Sequence, residues 1–301
     1  MVFNEVFISN FMPLKRINIF KKIGGCVFYL YLFCFMKHIY AIKFSLYFVS
    51  MLTFLIKYIE YIYVYIFHKP IFIHLYFRLR KLSKQQKEIL INKFGFYNRL
   101  SEEHKVYFEH RLSTFIRRKK FIGRDGFIVT NEVKILVGGV YVMLTFGLRK
   151  YLIDVFDKII IYPSAYYSVI NNHWHKGEFN YRFKAIVFSW EDFVEGMQIE
   201  HDNFHLGIHE FMHALSFYGK KSNDYSAKVF FEMHEDITSI LHNPENILDI
   251  KKANYFRAYA YTNKLEFMAV VMEYFFESPD ELKAHFPVLY QKIVKMLNYK
   301  F

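Results

Sequence analysis

The sequence predicts an α+β fold, mostly helical with a small sheet, preceded by an N-terminal hydrophobic helical segment. Three observations carry this. Apolar residues make up 53% of the 301-residue chain but are concentrated at its front. Two short β-branched and aromatic runs near the middle read as strands, and helical periodicity dominates the remainder. With 23% charged residues and this apolar content the chain can bury a core, so global disorder is excluded. Cys26 and Cys34 both lie in an apolar run, which excludes a disulfide-stapled secreted fold and a cysteine-built zinc module.

At the front, residues 24–36 carry no charge, Lys37, His38 and Lys43 interrupt, and 44–56 is uncharged again. Neither run reaches the ~18 residues that mark a spanning helix. Tolerating Lys57 and Glu60 near an interface gives a span at about 44–67, with Tyr58, Tyr61, Tyr63 and Tyr65 clustered at one end as an aromatic belt. No small-residue cleavage site follows Met36, so residues 1–82 read as a membrane-anchor region rather than a removed signal. The other reading is a buried helical hairpin of a soluble protein. Lys37 and Lys43 precede the span while Lys69, Arg78, Arg80, Lys81, Lys84 and Lys87 follow it. The positive-inside bias predicts a single-pass membrane protein with its body on the cytoplasmic side.

The net charge of +12 is a weak pointer to nucleic acid, because eight Lys/Arg stand against Glu5 and Glu60 in the first 69 residues alone. The 36 Phe and 25 Tyr are what an AT-rich genome produces without any stacking role, so no nucleic-acid partner is expected.

From residue 83 to 301 the composition is that of a soluble domain. Ser101 before Glu102 and Glu103 reads as a helix start, and Phe108, Leu112, Phe115 and Ile116 form its apolar stripe. Asn131 is placed to cap a second helix that is apolar nearly all round and therefore buried. Residues 158–163 and 184–190 are the strands. Helices follow to the end, the last opened by Ser278, Pro279 and a capping-box Glu281.

The chemistry lies in HEFMH, residues 209–213. On a helix His209 and His213 share a face one turn apart, so both imidazoles can reach one Zn²⁺ at about 2.0–2.1 Å. Glu210, one residue round the turn, is placed to hold a water at the metal and take its proton. Ser216 and Gly219 stand where a metzincin needs Gly and His, which excludes that class. A third ligand must come from a later helix. Glu232 and Glu235 are near in sequence, Glu266 and Glu273 lie seven apart on one face of an otherwise apolar helix, and spacing does not choose between the pairs.

GIHEFMHAL, the upstream IIIYPSAYYS and KAIVFSWEDF, and the downstream AYAYTNKLEFMAVVMEYFFESPDELKAHFPVLYQ together resemble the MtfA family of zinc-dependent peptidases, related in its active site to anthrax lethal factor. The similarity covers about residues 85–298. It implies a zincin-like metallopeptidase domain over residues 83–301, Zn²⁺ as cofactor, Glu266 as third metal ligand beside His209 and His213, and Glu210 and Tyr259 as catalytic residues, the tyrosine stabilising the oxyanion. The soluble enterobacterial members lack the front anchor, so their partner, a glucose-responsive transcriptional repressor, is not carried over. The family's upstream histidine, suggested to contact the metal in a resting form, does not align cleanly with His173 or His175, and both stay outside the metal set.

The expected function is that of a membrane-anchored zinc-dependent peptidase hydrolysing a peptide or protein substrate through metal-activated water. KAIVFSW, just before the zinc helix, could offer a strand edge to an extended peptide. The alternative is a non-catalytic, membrane-tethered regulatory binding protein that retains the peptidase fold.

Overall fold

The computed structural model of the chain describes residues 14–168, 172–199, 201–222, 224–242 and 252–299. Two compact units divide between Ile62 and Tyr63.

Helix α1 runs unbroken over Leu14–Phe67, 54 residues. Lysine is a good helix former, so Lys37, Lys43 and Lys57 interrupt the apolar pattern without interrupting the backbone. The helix stops where His68 adopts a left-handed φ of 50° just ahead of Pro70. From Phe33 to Phe67 it is long and apolar enough to cross a membrane. It is one continuous helix rather than the two of a hairpin. The helical segment is therefore longer than the predicted 44–67.

In the second unit, residues 71–83 form an irregular strap tied to the body. The His74 ring stacks on Tyr107 at 4.6 Å and meets Phe146 at 4.7 Å. The Arg80 backbone N–H donates to His110 Nδ1 at 2.8 Å. Arg111 is wholly buried; its Nε donates to Tyr76 Oη at 2.6 Å and its Nη1 to the carbonyls of Thr145 and Phe146 at 2.9 Å. Burial of this charge is tolerated because its donors are met by oxygens.

Helices α2 (Lys84–Lys93), α3 (Gly95–Arg99) and α4 (Glu102–Arg118) follow. A capping box of Ser83 and Gln86 opens α2, and Ser101 Oγ accepts from His104 N–H to open α4 as predicted. Strand β1 (Lys120–Gly123) leads to α5 (Asn131–Thr145), whose residues are buried almost all round. Its cap is Thr130 rather than Asn131, because Thr130 has the extended backbone that lets its hydroxyl accept from Val133 N–H.

Strands β2 (Lys158–Tyr162), β3 (Tyr166–Ser168), β4 (His173–His175), β5 (Gly177–Asn180) and β6 (Ala185–Ser189) come next. The sheet order is β1-β2-β6-β5, with β1, β2 and β6 parallel and β5 antiparallel to β6, while β3 and β4 form a separate hairpin. The KAIVFSW segment is thus no edge. β6 is buried throughout and paired on both sides, as a continuous apolar run requires, and the edge on the site's side is β5.

Helices α6 (Trp190–Gln198), α7 (Leu206–Lys221), α8 (Tyr225–Ser239), a short turn over Ala258–Tyr261, α9 (Lys264–Glu277), α10 (Pro279–His285) and α11 (Pro287–Met296) complete the described fold. Helix α7 packs between α5, α8 and α9 on one side and β5 and β6 on the other. Ser278 does start α10, but its hydroxyl donates to Asn203 Oδ1 at 2.8 Å and makes no side-chain cap, and α10 is not the last helix.

Candidate active site

Ile208, Phe211, Met212, Ala214 and Leu215 of α7 are fully buried, which fixes the helix and turns its polar residues into a cleft. His205 caps the start of α7, its Nδ1 accepting from Ile208 N–H at 3.3 Å. One turn on, the rings of His209 and His213 stand perpendicular with centroids 4.7 Å apart. Glu266 comes from the first turn of α9, where Asn263 Oδ1 accepts from Leu265 and Glu266 N–H at 2.9 and 3.1 Å. Its Oε2 lies 3.0 Å from His209 Nε2 and its Oε1 lies 3.6 Å from His213 Nε2. These three residues bring donor atoms within 4.8 Å of one another. Glu232 and Glu235 are exposed on α8 and stay outside this group.

Glu273, two turns beyond Glu266, has a different place. Its Oε1 accepts from His209 Nδ1 at 2.6 Å and its Oε2 lies 2.6 Å from the Arg257 guanidinium. A carboxylate on Nδ1 turns Nε2 toward the site and makes it the better donor to a metal. Arg257 is anchored in turn, donating to the Asn203 carbonyl at 2.5 Å and covering the Phe204 ring at 4.3 Å. Sequence reading missed Arg257; its position two residues before Tyr259 was the available signal.

The electrostatics follow the same geometry. Burial pulls the His209 imidazole down, but hydrogen bonds to Glu266 and Glu273 override it and lift His209 to about 10. Burial, reinforced by the His209 charge, lowers His213 to about 4, and its Nδ1 is buried without a hydrogen-bond partner. Burial would raise Glu266, yet the bond to His209 and the charge on His213 hold it below the usual carboxylate range. The donor set of two imidazole nitrogens and one carboxylate oxygen, with a carboxylate behind one imidazole, fits Zn²⁺.

Glu210 is buried, which raises it to about 7 even though a backbone bond from Phe179 in β5 favours its ionised form. Gly177, also in β5, is why the carboxylate fits: a Cβ there would come within 2.9 Å of Glu210 Cγ and Oε1. Tyr259 sits in the turn before α9, half-exposed, its ring 6.0 Å from that of His209. Burial and the Glu266 carboxylate push its hydroxyl up to about 12, so it is a proton donor at neutral pH. A cleft of about 510 Å³ is lined by Trp174, His175, Gly177, His209, Glu210 and Tyr259. His175 therefore faces the same cleft without joining the three-donor group, and His173 is exposed.

Residues 75–298 match the family described as glucose-regulated metallo-peptidase M90. Uncharacterized protein slr2042 of Synechocystis is 27% identical over 242 residues, 72% of this chain and 84% of that protein. Mlc titration factor A of Serratia proteamaculans is 25% identical over 194 residues, 58% of this chain and 72% of its own. The Yersinia pestis protein of the same name is 27% identical over 198 residues, 60% and 72% of the two chains. The matched residues carry the sheet, the two-histidine helix and the carboxylate helix in one continuous stretch, and over that stretch the chain belongs to the glucose-regulated metallopeptidase family M90.

Proposed function

We propose that the chain is a membrane-anchored zinc-dependent peptidase, with residues 1–82 as the anchor region and residues 83–301 as the peptidase domain. Family membership implies a metal, and the observation that carries the reading is the convergence of His209, His213 and Glu266 beside a buried Glu210. His209 Nε2, His213 Nε2 and a Glu266 carboxylate oxygen would hold the Zn²⁺. When bound, zinc supplies Lewis-acid polarisation of a carbonyl and acidifies a water.

The chain's own residues do the rest. Glu210, held near neutrality by burial, is matched to accept a proton at its carboxylate from the attacking water and to return it to the leaving amine. Tyr259 Oη donates to the carbonyl oxygen as negative charge develops there. Glu273 and Arg257 keep the His209 ring in orientation. An extended peptide adds along β5, whose outer edge has no partner strand among the described residues and whose Gly177 and Phe179 adjoin Glu210. Phe33–Phe67 of α1 supplies the span, and the cations that follow it favour a cytoplasmic peptidase domain.

The relatives' printed name, titration factor, favours a second reading, a regulatory binding protein without catalysis. One experiment separates them: zinc content by elemental analysis and cleavage of a peptide library by the detergent-purified chain. Wild type is expected to hold close to one zinc and to cleave; Glu210→Gln keeps the zinc and loses about 10²–10⁴ in rate, and His213→Ala loses both. Zinc retention without chelator-sensitive cleavage in the wild type would select the binding protein, and full zinc occupancy in His213→Ala would remove the metal site.

A further inference from the structure

The strap between α1 and α2 has two faces. Tyr76 and His74 turn inward, to Arg111 and to Tyr107 and Phe146. The residues alternating with them turn outward: Leu75 is 69% exposed, Phe77 107% and Leu79 39%. A phenylalanine as bare as Phe77 is a large apolar side chain that the fold leaves in water, with exposed Leu75 and Leu79 close beside it in the chain.

The charge around this row is of one sign. Between residues 68 and 87 there is no Asp or Glu, while Lys69, Arg78, Arg80, Lys81 and Lys84 lie within it. Lys87, at the end of the stretch, is paired with Glu109 at 2.8 Å. Arg78, Arg80 and Lys81 are exposed and interleave with the apolar row. Apolar side chains flanked by cations match the boundary of an anionic bilayer, where acyl chains lie under phosphate headgroups.

The strap also cannot travel far from such a boundary. Phe77 follows the end of the candidate span by ten residues, at most ~35 Å of extended chain.

We propose that residues 71–83 are a second membrane contact, a cationic-apolar strap whose Leu75, Phe77 and Leu79 enter the interface of an anionic lipid leaflet. It seats the peptidase domain on the surface rather than leaving it on a free tether. The proposal rests on the anchor reading given above.

The test uses the full-length chain, with Cys26 and Cys34 replaced by Ser, reconstituted into vesicles of phosphatidylcholine alone or mixed with phosphatidylglycerol. A nitroxide is attached at Phe77→Cys, Leu75→Cys or, as a control, Val288→Cys, an exposed apolar residue elsewhere on the domain. In phosphatidylglycerol vesicles the ratio of oxygen to water-soluble nickel accessibility is expected to rise several-fold at 75 and 77 and not at 288. The triple variant Arg78→Gln/Arg80→Gln/Lys81→Gln should lose that rise. Nickel accessibility at 77 as high as at 288, in chain that floats with the vesicles, overturns the strap contact and leaves the anchor intact. Spin–spin broadening at 77 that vanishes on dilution with unlabelled chain would give the face to a second copy and also overturn it. Failure of the chain to float at all would defeat the anchor, and the strap proposal with it.

Discussion

Gly177 shows how much of the site depends on a side chain that is not there. A methyl at this position would meet Glu210 at 2.9 Å and Leu206 Cδ1 at 2.7 Å, and the softest thing to move is the Glu210 carboxylate. Gly177→Ala is expected to displace that carboxylate by a fraction of an ångström and lower the cleavage rate about 10²-fold with zinc content unchanged; a wild-type rate would show that Glu210 adapts. Nothing in the sequence flags Gly177, because the contact joins residues 33 apart in the chain. Glu277 gives a second test. Burial, with the Asp202 charge beside it, raises this carboxyl to about 8. An acid raised in the folded state favours folding below its unfolded pKa and loses that contribution as pH climbs through the folded value. Wild type and Glu277→Gln should therefore melt alike near pH 5, with the variant gaining a few degrees by pH 9. Thermal melts across that range check it, and a constant difference would assign the effect to packing. At this scale the HExxH residues were legible because helix spacing is local, and Glu266 needed the resemblance because its partner helix is over fifty residues away.

Among elements, the strap is held chiefly through Arg111, and its inner face is testable apart from its outer one. Tyr76→Phe removes the oxygen that accepts from Arg111 Nε and leaves a buried charged donor unmet, at a cost of about 1.5–3 kcal/mol. Urea unfolding should register that loss and hydrogen exchange over residues 72–80 should quicken, whereas Phe77→Ser, on the uncovered side, should leave both unchanged. Equal effects would mean the strap packs differently. Caps and strands could be read where a few neighbouring residues decide them, as at Ser101 and residues 158–162. The misreadings were of another kind. Thr130 displaced Asn131 as cap by its backbone angle, Ser278 turned its hydroxyl to Asn203, and β6 became central because β5 folds back beside it. The first was decided by one residue's backbone, the other two by partners that local pattern does not reveal.

For the whole molecule, the long helix and the body that follows it pose separate questions. Where the helix ends was less legible, since an apolar pattern broken by lysines looks shorter than the backbone it builds. Helix α1 has a consequence for the kind of bilayer that suits it. Between Lys43 and Lys57 lie thirteen uncharged residues, ~20 Å of helix, against a hydrocarbon core of ~30 Å. A bilayer of ordinary thickness centred there must accept both ammonium groups by letting their stems reach outward to the headgroups. A thinner one accepts them with less reach. The reconstituted chain is therefore expected to partition in favour of short-chain over long-chain phosphatidylcholine vesicles, a preference that Lys43→Leu/Lys57→Leu should abolish, as flotation from mixed vesicle populations would reveal. Hydrophobic mismatch would then sort this protein toward thin membrane regions, carrying the peptidase there through two lysine side chains that take no part in its chemistry.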